Sequence, residues 1–103
     1  MKIVVIKQIH SSFASVSTGD REVQKVLNLT FAPFVGLELG SKDWEGGTIK
    51  ELYYDVCKNE FHCWVDADET YCDINNLTYH ATKEEMDKLE QKYIDEGWIK
   101  NDN

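Results

Sequence analysis

The sequence predicts an α+β protein: a curved antiparallel sheet of about five strands, as a meander or partial barrel, with one C-terminal helix packed on it. Three observations carry that expectation. Lys2–Ile9 is dense in β-branched residues, Thr48–Tyr71 holds two alternating apolar runs separated by Lys58-Asn59, and Thr82–Gly97 has helical spacing with start and stop signals. With 103 residues the chain is expected to form one domain, 1–103, around a single core.

In the first strand Ile3 and Val5 alternate with Val4 and Ile6, so both faces are apolar and the strand should be central. Ser11–Asp20 is small and polar and reads as a loop ending in the Gly19-Asp20 turn signal. Arg21–Phe31 has a weak helical match at Val23, Val26 and Leu27. The alternation of Leu27, Leu29 and Phe31 with Asn28 and Thr30 is longer and favours a strand. Pro33 breaks that strand from a second, Phe34–Leu39, because proline cannot donate to a ladder and restricts Ala32 before it. Gly40–Gly47 reads as a loop that presents Trp44 between Asp43 and Glu45, and Gly46-Gly47 permits a sharp entry into the next strand.

Pairing the two apolar runs across Lys58-Asn59 sets Val56 against Phe61, Tyr54 against Cys63 and Leu52 against Val65 on a core face. The other face then pairs Asp55 with His62 and Tyr53 with Trp64. That second face is either covered by the C-terminal helix, through Met86, Leu89 and Tyr93, or is a binding surface. In the helix Thr82 and Glu85 form a capping box. Met86, Leu89, Tyr93 and Ile94 make the apolar stripe, and Gly97 ends the helix in the left-handed conformation so that Trp98 packs on Tyr93.

The net charge of -8 lies in the C-terminal half: up to Leu37 the bases Lys2, Lys7, Arg21 and Lys25 outnumber Asp20 and Glu22. Phosphate binding requires clustered Lys and Arg, so direct contact with nucleic acid or an anionic membrane is not expected, whereas a basic protein surface suits this field. Lys7 cuts short the apolar run that a secretory signal would need, no stretch is long enough to span a membrane, and three cysteines cannot all pair within one chain. The expected location is the cytoplasm, where the sequons at Asn28 and Asn76 carry no meaning.

The chemistry-bearing clusters point to no cofactor. Cys57, Cys63, Cys72, His62 and His80 resemble zinc ligands in type, but His62 and Cys63 are strand neighbours and face opposite ways. Asp66–Asp73 is rich in oxygen ligands, yet counted as a calcium loop it has Tyr71 where glycine is needed and Leu77 where glutamate is needed. It reads instead as a solvated acidic turn. The leading function is a small acidic, non-enzymatic interaction protein. It would be an inhibitor that occupies a basic or nucleic-acid-binding site of a partner through Trp44, Tyr53, Trp64, Asp66, Asp68, Glu69 and Asp73. The alternatives are a small hydrolase or metal-dependent enzyme using His62 with Asp55 and Asp66, and a structural or dimeric accessory subunit, the latter a homodimer.

Overall fold

The computed structural model describes residues 1–11, 21–42, 44–74, 77–80 and 83–100. The protein is α+β, with strands β1 (Lys2–Ser11), β2 (Arg21–Asn28), β3 (Glu38–Ser41), β4 (Trp44–Asp55), β5 (Glu60–Val65), β6 (Asp68–Ile74), β7 (Leu77–His80) and β8 (Ile99–Lys100). Helix α1 (Lys83–Asp95) precedes β8. The loop expected over 12–20 and the Thr82 half of the capping box lie outside the described residues. Contacts divide the chain into two compact units, Met1–Lys7 with Gln24–Asp66, and Gln8–Val23 with Ala67–Asn103.

In the first unit the strand order is β3-β4-β5-β1-β2. β1 is central, as its doubly apolar run requires, and Ile3, Val4, Val5 and Ile6 are all buried. The expected α+β class, a sheet with one C-terminal helix, is present, but the sheet is mixed rather than wholly antiparallel. β1 runs parallel to β5, pairing Ile3 with Phe61 and Val5 with Cys63. β5 and β2 flank β1, and the long connection from β1 to β5 is the crossover that parallel pairing demands. On the other flank Met1 and Leu29 exchange both backbone hydrogen bonds, the pattern of an antiparallel pair.

The strand expected at Phe34–Leu39 begins only at Glu38. Gly36 has φ 98° and the Leu37 N–H donates to the Phe34 carbonyl at 3.1 Å, closing a turn over Phe34–Leu37 that leaves Phe34 and Val35 exposed. Gly40–Gly47 is not one open loop: Ser41 pairs with Trp44, and the following residues already belong to β4. Glycine-rich sequence hides this ladder, because Gly46 sits on a strand where a side chain has no room.

The β4–β5 hairpin forms two residues out of the expected register: Asp55 faces Glu60, Tyr54 faces Phe61, Tyr53 faces His62 and Leu52 faces Cys63. The bend is the four-residue turn Val56–Asn59. A two-residue turn at Lys58-Asn59 would place both residues at positive φ, and of the two only Asn59, at 57°, adopts it. The Asp55 carboxylate instead accepts the N–H groups of Cys57 at 3.0 Å and Lys58 at 3.1 Å, which fixes the wider turn and puts Val56 in solvent at 80% exposure. A slip of two keeps every side chain on its expected face. Leu52, Tyr54, Phe61, Cys63 and Val65 share one side; Tyr53, His62 and Trp64 share the other. A bulge between Ile49 and Glu51 then turns Ile49 to the Cys63 side, where it is fully buried.

In the second unit the end of β1 runs parallel to β6, with Ile9 opposite Asp68, and β6 pairs antiparallel with β7. The segment read as an acidic turn is therefore mostly strand, because its pairing with β1 and β7 overrides its polar composition. Helix α1 buries Met86 and Tyr93, and its end follows the expected stop signal. Gly97 has φ 95°, its N–H donates to the Ile94 carbonyl and the Trp98 N–H donates to the Tyr93 carbonyl, each at 3.0 Å. Trp98 meets Tyr93 edge to face, with centroids 5.8 Å apart. The nearly buried Glu90 carboxylate lies between Arg21 at 3.6 Å and Lys100 at 3.5 Å, so α1 is tied to β2 and β8 by a paired charge. Among the described residues no helix is long and apolar enough to cross a membrane.

Candidate functional site

Tyr53, His62 and Trp64 are brought together on the face of β4 and β5 where alternation places them. Tyr53 lies 5.0 Å from His62 and 5.7 Å from Trp64, nearly parallel to the indole at 26°, and the His62 and Trp64 centroids are 6.3 Å apart. Such offset cross-strand stacking holds three flat groups in one contiguous strip. The strip grades from core to solvent. Val4 and Ile6, which pair with His62 and Trp64 on β1, are buried, while Tyr53 is 48% exposed and Glu51, opposite Trp64, is exposed. The aromatics therefore have a fixed backing and an open outer edge.

The acid beside His62 is Glu60 rather than Asp55. The expected Asp55–His62 pair is replaced because the Asp55 carboxylate is engaged by its own turn and the register has slipped by two. His62 Nε2 lies 3.1 Å from Glu60 Oε1, and Lys2 Nζ lies 3.1 Å from Glu60 Oε2. An ionised carboxylate only accepts, so His62 carries a proton on Nε2 in this contact. The Lys2 ammonium is the main reason the Glu60 carboxyl titrates below the ordinary glutamate range; burial opposes that shift, and the His62 bond adds to it. Glu60 is 6% exposed, so the imidazole is braced from behind by a paired, shielded charge.

Asp66 and Trp44 lie elsewhere in the same unit. Asp66 Oδ2 accepts the Thr48 N–H at 3.2 Å and Oδ1 lies 3.3 Å from Lys50 Nζ. The Thr48 amide is the leading reason its carboxyl titrates below the aspartate range, with Lys50 and Lys7 adding to it. Trp44 is half-buried with Lys25 Nζ 4.3 Å from its ring centroid. Asp68, Glu69 and Asp73 are on β6, in the second unit. Cys57 is exposed in the hairpin turn, whereas Cys63 is buried and desolvation pushes its thiol up to about 11. Among the described residues no group of three His, Cys, Asp or Glu is placed to hold a metal ion.

Sequence reasoning missed Glu60 as the partner of His62, and Lys2 as the partner of Glu60. The signal was present: Glu60 is two positions before His62 in one strand and so shares its face. The cation over Trp44 left no comparable trace, since Lys25 belongs to a distant strand. No family model, no curated protein and no solved structure matches this chain.

Proposed function

We propose that the protein is a non-enzymatic interaction module whose Tyr53–His62–Trp64 strip docks a basic segment of a protein partner, as an inhibitor occupying that partner's cationic site. The observation that supports this best is the half-open Tyr53 stacked on Trp64, an aromatic pair with a rigid backing and a solvent edge, in a chain of net charge -8. Tyrosine and tryptophan give large contact area at small cost in side-chain entropy, and both attract a partner's arginine or lysine through their ring faces. Glu51 borders the strip, and the chain's net charge of -8 supplies the negative field that steers such a partner.

The test uses an arginine-rich peptide as the cationic probe. Binding is expected to weaken steeply as salt rises, and Tyr53→Ala with Trp64→Ala is expected to weaken it about tenfold or more. Affinity that is indifferent to salt removes the electrostatic half of the reading. Affinity that survives both aromatic truncations removes the strip as its location.

A further inference from the structure

Of the three rings in the aromatic strip only His62 can change charge between neutrality and mild acid, the range in which an imidazole takes up its second proton. Its centroid lies 5.0 Å from that of Tyr53 and 6.3 Å from that of Trp64, so the new charge arrives beside both aromatic partners. In the neutral ring Nε2 holds the proton shared with Glu60, which leaves Nδ1 to receive the second one.

The groups around the imidazole decide what that proton does. On β5, Glu60 Oε1 lies 3.1 Å from Nε2 and favours the charged ring. On β1, Lys2 Nζ lies 3.1 Å from the other Glu60 oxygen, so the carboxylate is already matched by an ammonium. The β1 residue opposite His62 is the buried, uncharged Val4. On β4 the residue opposite His62 is Tyr53, and Glu51 follows on that face, opposite Trp64. The Glu60 carboxyl titrates below its ordinary value and stays charged in mild acid. Protonating His62 therefore takes the Lys2–Glu60–His62 group from no net charge to a net positive one. The imidazole side chain is only 17% exposed, so water screens that charge weakly.

We infer that the strip, as the docking surface proposed above and resting on that reading, releases its cationic partner in mild acid because His62 becomes charged. The imidazolium lies beside the same two rings whose negative faces receive the partner's arginine or lysine, and the two cations repel. Glu51 remains as a source of attraction, so the loss of affinity is partial.

The test measures binding of a peptide of arginine and glycine to the full chain at about pH 7.5 and about pH 5.5, either side of the ordinary imidazole range, at one ionic strength. Arginine keeps its charge at both, so a difference belongs to the protein. Wild-type affinity is expected to fall about fivefold or more on acidification. His62→Gln, which cannot gain the proton, should bind about equally at both. Glu60→Gln removes the carboxylate that favours the imidazolium and should move the midpoint of the loss to lower pH; it decides the matter if His62→Gln does not fold. Binding at neutral pH that is unchanged in acid overturns the release and leaves the docking surface standing, whereas no binding at either pH overturns both. A loss of equal size in His62→Gln, where His10 and His80 remain, or a midpoint that does not fall in Glu60→Gln, also overturns the release.

Discussion

Glu60 and His62, two positions apart on β5, are joined edge to edge, with Oε1 and Nε2 3.1 Å apart and Lys2 on the carboxylate's other oxygen. The carboxyl is held below its ordinary value of 4.5 in the folded protein, so its charged form contributes stability that is complete above that pH and is lost as pH falls through the lower folded value. Chemical denaturation at a series of pH values should show stability declining below about pH 4.5. In Glu60→Gln that decline should be shallower, with Asp66, shifted in the same direction, supplying what remains. An identical acid limb in wild type and variant would rule out the Lys2–Glu60–His62 contact.

The two described thiols should separate cleanly under alkylation. With its thiol at about 11, Cys63 stays protonated and covered at pH 8, while Cys57 is exposed in its turn. Peptide mapping after brief iodoacetamide treatment is expected to find Cys57 modified and Cys63 intact until denaturant is added. Because folding raises the Cys63 value from 9.0, its protonated form contributes stability present below pH 9 that is lost as pH rises through about 11.

Gly97→Ala should destabilise the protein by about 1 kcal/mol, since a side chain at φ 95° is strained. Thermal unfolding should report this as a drop of roughly 4–8 °C. An unchanged midpoint would mean that residue 97 does not hold the left-handed conformation that closes α1.

Gly46→Ala probes the packing of Trp44 and Leu39 against β4. An added Cβ would lie 2.5 Å from the Trp44 ring and 2.7 Å from the Leu39 carbonyl oxygen, contacts that require β3 or the indole to move. The expected cost is about 1–3 kcal/mol, with a shift in tryptophan emission that Gly40→Ala, whose nearest neighbour is at 3.5 Å, does not produce.

Local chemistry was legible in the sequence wherever one segment decided it. The double-faced apolar run marked β1 as central, Gly97 marked the end of α1, and period two placed Tyr53, His62 and Trp64 on one face even though the turn was misplaced. What escaped depended on distant or irregular partners. The parallel pairing of β1 with β5, the bulge that turns Ile49 inward and the cation above Trp44 each require residues far apart in the chain, and no periodicity within one segment encodes them. The turn itself was missed because an aspartate side chain, acting on the amides two and three residues later, outweighed the hairpin signal of Lys58-Asn59.

The central place of β1 also sets an order of events during synthesis. Ile3 has Phe61 as its partner on one flank, so the most apolar strand leaves the ribosome long before that neighbour exists. Until β5 emerges, β1 is a sticky, half-satisfied edge, and pairing so remote in the chain forms slowly. Nascent chains halted before residue 60 should therefore depend on chaperones, and slow translation should lower the yield of folded protein.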